Sequence, residues 1–376
     1  KKQGPVRIAL PFQTIETVNE SAQDRRRNLE LFASGRDTEW RNRLIWGDNK
    51  YVLPSLLSEF SGRVSLIYID PPFSTGQDFS YLASIPDHAN IAEGETTNFT
   101  KEPSILEQKA YRDTWGKGLD SYLQMMFERL TLMRDLLSDD GSIYIHVDWR
   151  LNAPLRMIVE ELFSREKFMC QIVWKRSSIR KAASNKWLSV DDTILVATKS
   201  PEYTFNTVYV PYSEEYKKRF TEKDERGYYY WIDIGTYSQE RLQKLQAEGR
   251  VRFPKDPKAH PRFKHYLHEG KGVQPDNVWT DIVPINSQAK EDTGYDTQKP
   301  EALLERILKA SSNDGDLILD CFAGSGTTAA VAEKLNRRWI VCDLSRFAIH
   351  TTRKRLLGIS GVKPFIVQNL GKRSEE

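Results

Sequence analysis

The sequence predicts an α/β protein, a doubly wound and mainly parallel sheet interrupted by an inserted lobe. Two strand–turn–helix units near opposite ends of the chain, and a basic, aromatic-rich stretch between them, carry that expectation. At 376 residues the chain suits two domains, or one large α/β domain with an insertion. Hydrophobic residues make up 39%, enough to fill a core, and no run approaches the roughly 18 apolar residues of a membrane span. Cys170, Cys321 and Cys342 show no paired spacing, so a reduced cytoplasm is the expected setting. No signal peptide is visible; the chain opens Lys-Lys-Gln without a methionine, so the native protein is expected to be longer.

Residues 1–41 read as an N-terminal arm: an extended start from Pro5 to Pro11, then a charged segment, Arg25-Arg26-Arg27, forming an arm or short helix. From Arg43 the pattern is strand, helix, strand. It ends in the apolar run Val64-Ser65-Leu66-Ile67-Tyr68-Ile69, followed at once by Asp70-Pro71-Pro72-Phe73. That tetrapeptide is chemically loaded. The Asp70 carboxylate accepts hydrogen bonds, Pro71 has no N–H to compete for it, and the fixed φ of both prolines holds the Pro71 carbonyl in one direction. Phe73 offers a stacking face, worth about 1–3 kcal/mol against a nucleobase. Together they could grip a planar group bearing an exocyclic NH₂, although a Pro-Pro pair also marks ordinary surface turns.

Ser74 to Gly118 is polar and too long for an ordinary connector, and its place directly after Phe73 suggests a lid or ligand-contacting loop ordered only in complex. Leu119 to Leu137 carries an apolar face at helical spacing, with Met125 and Met126 as core filling. Asp139-Asp140-Gly141 turns the chain into the strand 142–148, where His146 reads as a satisfied core histidine. A helix from Pro154 to Phe163, a strand over 171–174 and a last strand over 192–199 complete a segment, 42–200.

Residues 201–278 are expected to form the inserted lobe. Between Cys170 and Gly272 about 20 Lys/Arg stand against 13 Asp/Glu, a local excess of about +7, while the whole chain carries only +3. Lys175, Arg176, Arg180, Lys181, Lys217, Lys218 and Arg219 interleave with aromatics, a pattern able to neutralise phosphates and present side chains to base edges. The commoner fate of such a run is a solvated surface. Tyr228 to Ile232 favours a strand whose aromatics pack the lobe's small core. His260, His265 and His268 match no zinc spacing, so no metal is expected, and phosphate contact or solvent exposure is the reading for them.

In 279–376, the short strand 316–320 runs into Cys321-Phe322-Ala323-Gly324-Ser325-Gly326-Thr327-Thr328 and then a helical stretch. Glycines belong where the backbone turns sharply and a ligand approaches closely. A second strand ends in Asp343, about 20 residues on, a spacing suited to ribose hydroxyls. Alone, Gly324, Gly326 and Ala329 satisfy only a loose dinucleotide fingerprint, and no Gly-Lys-Ser/Thr follows to make a P-loop.

Four elements in fixed order separate the possibilities. Trp46-Gly47-Asp48-Asn49, Asp70-Pro71-Pro72-Phe73, Tyr295-Asp296-Thr297-Gln298-Lys299-Pro300 and the glycine turn together resemble the amino-directed DNA methyltransferases, which methylate adenine N6 or cytosine N4. With the tetrapeptide first and the glycine turn last, the order is similar to that of the β subgroup. The flanking text looks most like the modification subunits of type III restriction systems and their solitary relatives. The likeness runs from about 42 to 356 and is weakest between 203 and 279. It implies a Rossmann-like methyltransferase sheet with a target-recognition lobe, S-adenosylmethionine as cofactor, and duplex DNA as substrate. It also implies a restriction subunit and a homodimer as partners to be tested.

Residue by residue, the resemblance implies that Asp70 and the Pro71 carbonyl accept the two amino hydrogens of a flipped base, with Pro72 fixing the turn and Phe73 stacking. Gly324, Ser325 and Gly326, with Phe322 and Ala323, would approach the cofactor; Asp343 would hold its ribose and Asp48 its adenine edge. Thr297, Lys299, Pro300 and Asp320 would line the methionine end, and Thr327 would also belong to the cofactor site. Cys321-Phe322-Ala323 departs from the Pro-Phe-Cys or Pro-Phe-Ala usual in the family, and Phe73 replaces the commoner tyrosine. Asp rather than Ser ahead of the prolines leans toward adenine N6. Cytosine N4 methylation, a non-catalytic DNA-recognition subunit, and methylation of RNA or protein stay open as alternatives.

Overall fold

The computed structural model describes residues 3–33, 40–72, 81–86, 96–101, 118–177, 187–234, 239–254, 260–286, 288–295 and 297–371. Two compact units emerge. One combines 1–206 with 277–376, and the other is Thr207–Asp276.

Among the described residues the first unit holds a ten-stranded sheet. Six of its strands run parallel side by side, in the order β16 (Phe365–Leu370), β2 (Asn42–Trp46), β15 (Arg338–Asp343), β14 (Leu317–Asp320), β3 (Val64–Ile69) and β6 (Leu137–Val147). Beyond β6 lie β8 (Asp191–Thr198) and β7 (Phe168–Lys175), each antiparallel to its neighbour, and then β13 (Val278–Trp279), parallel to β7. At the other edge β1 (Phe12–Val18) pairs antiparallel with β16.

Strand alternation explains why both faces are covered. Ile67 and Ile69 point to one apolar cluster, shared with α2 (Asn49–Phe60), α3 (Leu119–Leu136) and α4 (Asn152–Phe163). Leu66 and Tyr68 point to the other, shared with α7 (Glu301–Ser311), α8 (Thr327–Lys334) and α9 (Arg346–Leu357). Strands buried on both sides read as near-continuous apolar runs, as β3 and β14 do. Met125 and Met126 on α3 lie within the first cluster.

Residues 1–41 are more than an arm. Phe12–Val18 closes the edge of the sheet by pairing with residues more than 340 positions later, and Ala22–Ala33 forms helix α1. The stretch between Ser74 and Gly118 lies largely outside the described residues. Within it, β4 (Tyr81–Pro86) and β5 (Thr96–Lys101) pair as an antiparallel hairpin.

The second unit carries a small antiparallel sheet of β11 (Val251–Arg252), β12 (Arg262–Tyr266), β10 (Gly227–Asp233) and β9 (Glu222–Asp224), with helices α5 (Glu214–Lys217) and α6 (Gln239–Ala247). Ile234, Leu245 and Phe263 form its core. Tyr229 is buried against Trp231 and Tyr266, whereas Tyr228 stays exposed. His265 departs from its expected surface role. It is half-buried among Phe220, Tyr230 and Phe263, where loss of hydration pulls its pKa down.

Candidate active site

The parallel register brings the sequence-distant motifs to one edge. Leu319 pairs with Ile67, Asp320 with Val341, and Asp343 with Trp46, so Asp70, Asp320, Asp343 and Asp48 all emerge where their strands end. From β14 the chain turns to β15 on one side, and from β3 it goes on to β6 on the other. Such a reversal point is where open α/β sheets receive ligands.

The glycine turn is built for close approach. Gly324 and Gly326 adopt left-handed φ angles of 50° and 75°, which disfavour side chains. A Cβ on Gly326 would stand 2.6 Å from Thr352. Asp343 braces the turn: its carboxylate accepts from the Gly324 N–H at 2.8 Å and from the Ser345 N–H at 2.8 Å. Asp320 lies beneath the turn, 2% exposed, and accepts from the Phe322 N–H (2.9 Å) and the Thr328 hydroxyl (2.6 Å). Burial pushes its carboxyl up to about 7 against the pull of those two bonds, and the charges of Asp70 and Asp343 add to the rise. Its oxygens are thus engaged in holding the turn. Ser325 and Ala323 are buried, and Phe322 packs on the core.

Asp48 caps α2 through the Lys50 N–H at 2.8 Å. The next residue, Asn49, donates to the Cys321 carbonyl at 3.1 Å, tying this helix start to the glycine turn. Arg129, 4% exposed on α3, secures both by donating to Asn49 at 2.9 Å and lying 3.6 Å from the Asp48 carboxylate. Sequence reasoning missed Arg129, because nothing marks an arginine in an amphipathic helix as inward-facing. It also missed Phe347, whose ring stacks 5.8 Å from that of Tyr295, the first residue of the 295–300 motif, with Tyr295 beside Gly324.

The segment 297–300 joins the two halves of the site. The Thr327 hydroxyl donates to the Lys299 carbonyl at 3.2 Å, and the Lys299 amine forms an ion pair with Asp70. Pro300 caps α7. Pro71 is buried and Pro72 half-buried; Phe73 lies outside the described residues.

Beyond Lys299, a cleft of about 600 Å³ opens at the ends of β6, β7 and β8, lined among others by Trp149, Arg150, Trp174, Arg176, Asp192 and Lys299. Arg176 is held on Asp192 at 3.0 Å, whose other oxygen lies 3.2 Å from His146 Nε2. His146 is fully buried, with Nδ1 3.0 Å from the Tyr68 hydroxyl, a satisfied core histidine. Among the expected DNA-contacting residues, Lys175, Arg176, Lys217, Lys218 and Arg219 are exposed, while Arg180 and Lys181 lie outside the described residues. Lys217 pairs with Glu214 at 2.6 Å, and Arg219 lies over the Tyr216 ring. Among the described residues no cluster of His, Cys, Asp or Glu could hold a metal, and no helix is long and apolar enough to cross a membrane.

The chain is similar in sequence to known DNA methyltransferases. The type II methyltransferase M.EcaI of Enterobacter cloacae is 30% identical over 89% of this chain and 74% of its own length. The StyLTI Mod subunit, a type III restriction-modification enzyme of Salmonella typhimurium, is 29% identical over 85% of this chain. The chain spans only 55% of that subunit. The DNA adenine methyltransferase YhdJ of Escherichia coli K12 is 28% identical over 88% of this chain and 90% of its own. The family model described as DNA methylase, N6_N4_Mtase, matches residues 64–354, and the chain belongs to that family.

Proposed function

We propose that this protein transfers a methyl group from S-adenosylmethionine to the N6 amino group of an adenine extruded from duplex DNA. The observation that carries the reading is the order of strands at the site. Asp70, at the end of β3, stands between the glycine turn and Asp343 on one side and the 600 Å³ cleft on the other. A methyl donor and an acceptor base would therefore meet at Asp70.

The residues suit the donor. Two left-handed glycines let a ligand approach the backbone, and carboxylates at Asp343 and Asp48 offer acceptors for hydroxyls and an amino edge. When bound, S-adenosylmethionine supplies an activated methyl on a sulfonium centre. Asp70 and the Pro71 carbonyl each accept one N–H of the base's amino group. That grip holds both hydrogens out of the ring plane, localises the nitrogen lone pair and orients it. Asp70 also offsets the positive charge that develops on nitrogen, an effect that strengthens as water is excluded. The Lys299 ion pair aims the carboxylate, and the amino group of the base takes the place of the ammonium. A base buried in a duplex cannot reach Asp70, so extrusion is part of the reading.

Adenine is favoured over cytosine by the acid ahead of the two prolines and by the likeness to an adenine enzyme. Association with a restriction subunit belongs to the same reading, supported by likeness to a Mod subunit, and co-purification from cells tests it. Homodimer formation is tested by sedimentation. The decisive test of the chemistry is nucleoside mass analysis of mixed-sequence duplex DNA after incubation with protein and labelled S-adenosylmethionine. N6-methyladenine is expected; methylcytosine without methyladenine overturns the choice of base.

A further inference from the structure

We propose that Trp149 is a base-stacking wall of the cleft, covering one face of the extruded nucleobase while Asp70 engages its amino group. The proposal rests on the functional reading above and adds a residue to it. β6 runs parallel to β3 with Ile145 opposite Ile69, so Trp149 and the Asp70-Pro71-Pro72 turn leave the sheet at the same edge. Trp149 lines the same cleft as Lys299, which pairs with Asp70.

Its presentation is fixed by its neighbours. Asp148, 5% exposed, accepts from the Arg150 N–H at 3.0 Å, the Leu151 N–H at 3.2 Å and the Arg150 Nε at 2.6 Å. These bonds lock the turn before α4 and leave the indole 64% exposed. The other tryptophan of the cleft is committed to the fold, since Trp174 is 3% exposed and donates to the Ile282 carbonyl at 3.0 Å. An indole held out of the core on a rigid turn gains by covering an apolar or π surface. Arg150 and Arg176, each anchored on a carboxylate and each 43% exposed, set cations at the same cleft. A planar face beside two cations suits a nucleotide, whose base stacks and whose flanking phosphates are anionic.

The test uses the full chain with S-adenosylmethionine and a duplex carrying a site located by sequencing methylated products. Trp149→Ala is expected to lower methyl transfer about tenfold with cofactor affinity unchanged, and Trp149→Phe to keep most of the rate. In parallel, 5-iododeoxyuridine placed at the target position and irradiated is expected to crosslink to the peptide containing Trp149. Intact protein that transfers methyl while Trp149→Ala does so equally well, with the crosslink elsewhere, overturns the stacking role alone. Intact protein that binds cofactor but methylates no duplex overturns the functional reading and this inference together.

Discussion

Asp320 is the residue whose environment makes the sharpest prediction. Its carboxyl is pushed up to about 7 by burial, from an ordinary 3.8. Between those values the folded chain holds a proton that the unfolded chain has lost, so this residue's contribution to stability falls as pH rises through that window and levels off above it. Asp320→Asn keeps one acceptor for the turn and cannot titrate. Thermal melts from pH 5 to pH 8 should therefore show the wild-type advantage over Asp320→Asn shrinking toward high pH; a constant or growing gap contradicts the assigned burial effect. Asp320 also shows what sequence can and cannot give. Its place before the glycine turn was legible from the strand–turn–helix pattern. That its oxygens accept from the Thr328 hydroxyl and the Phe322 amide depended on backbone geometry that no residue type announces.

At the scale of elements, the glycine turn and its supports act as a unit. Gly326 has a left-handed φ of 75° and no room for a Cβ beside Thr352. Gly326→Ala should destabilise the protein by about 1–3 kcal/mol and weaken cofactor binding at least tenfold. Calorimetric titration with S-adenosylmethionine alongside thermal melts checks both, and an unchanged affinity would remove the turn from the cofactor site. Local patterns made most elements readable: apolar runs for β3 and β14, helical spacing for α3, and paired glycines for the turn. Pairings between distant segments were not readable. The Lys299–Asp70 pair spans 229 residues, and Arg129 reaches Asn49 across 80. The edge strand β1 was missed for the same reason, since its partner lies at the far end of the chain.

For the whole molecule, the order of strands gathers motifs scattered over some three hundred residues around Asp70, with the glycine turn on one side and the cleft on the other. The exposed cations of the second unit are proposed to bind DNA through phosphates. Replacing Lys217, Lys218 and Arg219 together by alanine should then weaken DNA binding across sequences and flatten its dependence on salt, by about 0.9 in log–log slope for each phosphate no longer neutralised. Binding isotherms at rising salt would reveal this, and an unchanged slope would assign those residues to a solvated surface. The central claim is that Asp70 grips the amino group that receives the methyl. It is tested most directly by single-turnover transfer from labelled S-adenosylmethionine to duplex DNA, comparing intact protein with Asp70→Ala at saturating cofactor. The account predicts N6-methyladenine from the intact protein and a drop of at least about 100-fold in the variant, with cofactor binding preserved. Transfer by Asp70→Ala at the intact rate would contradict it.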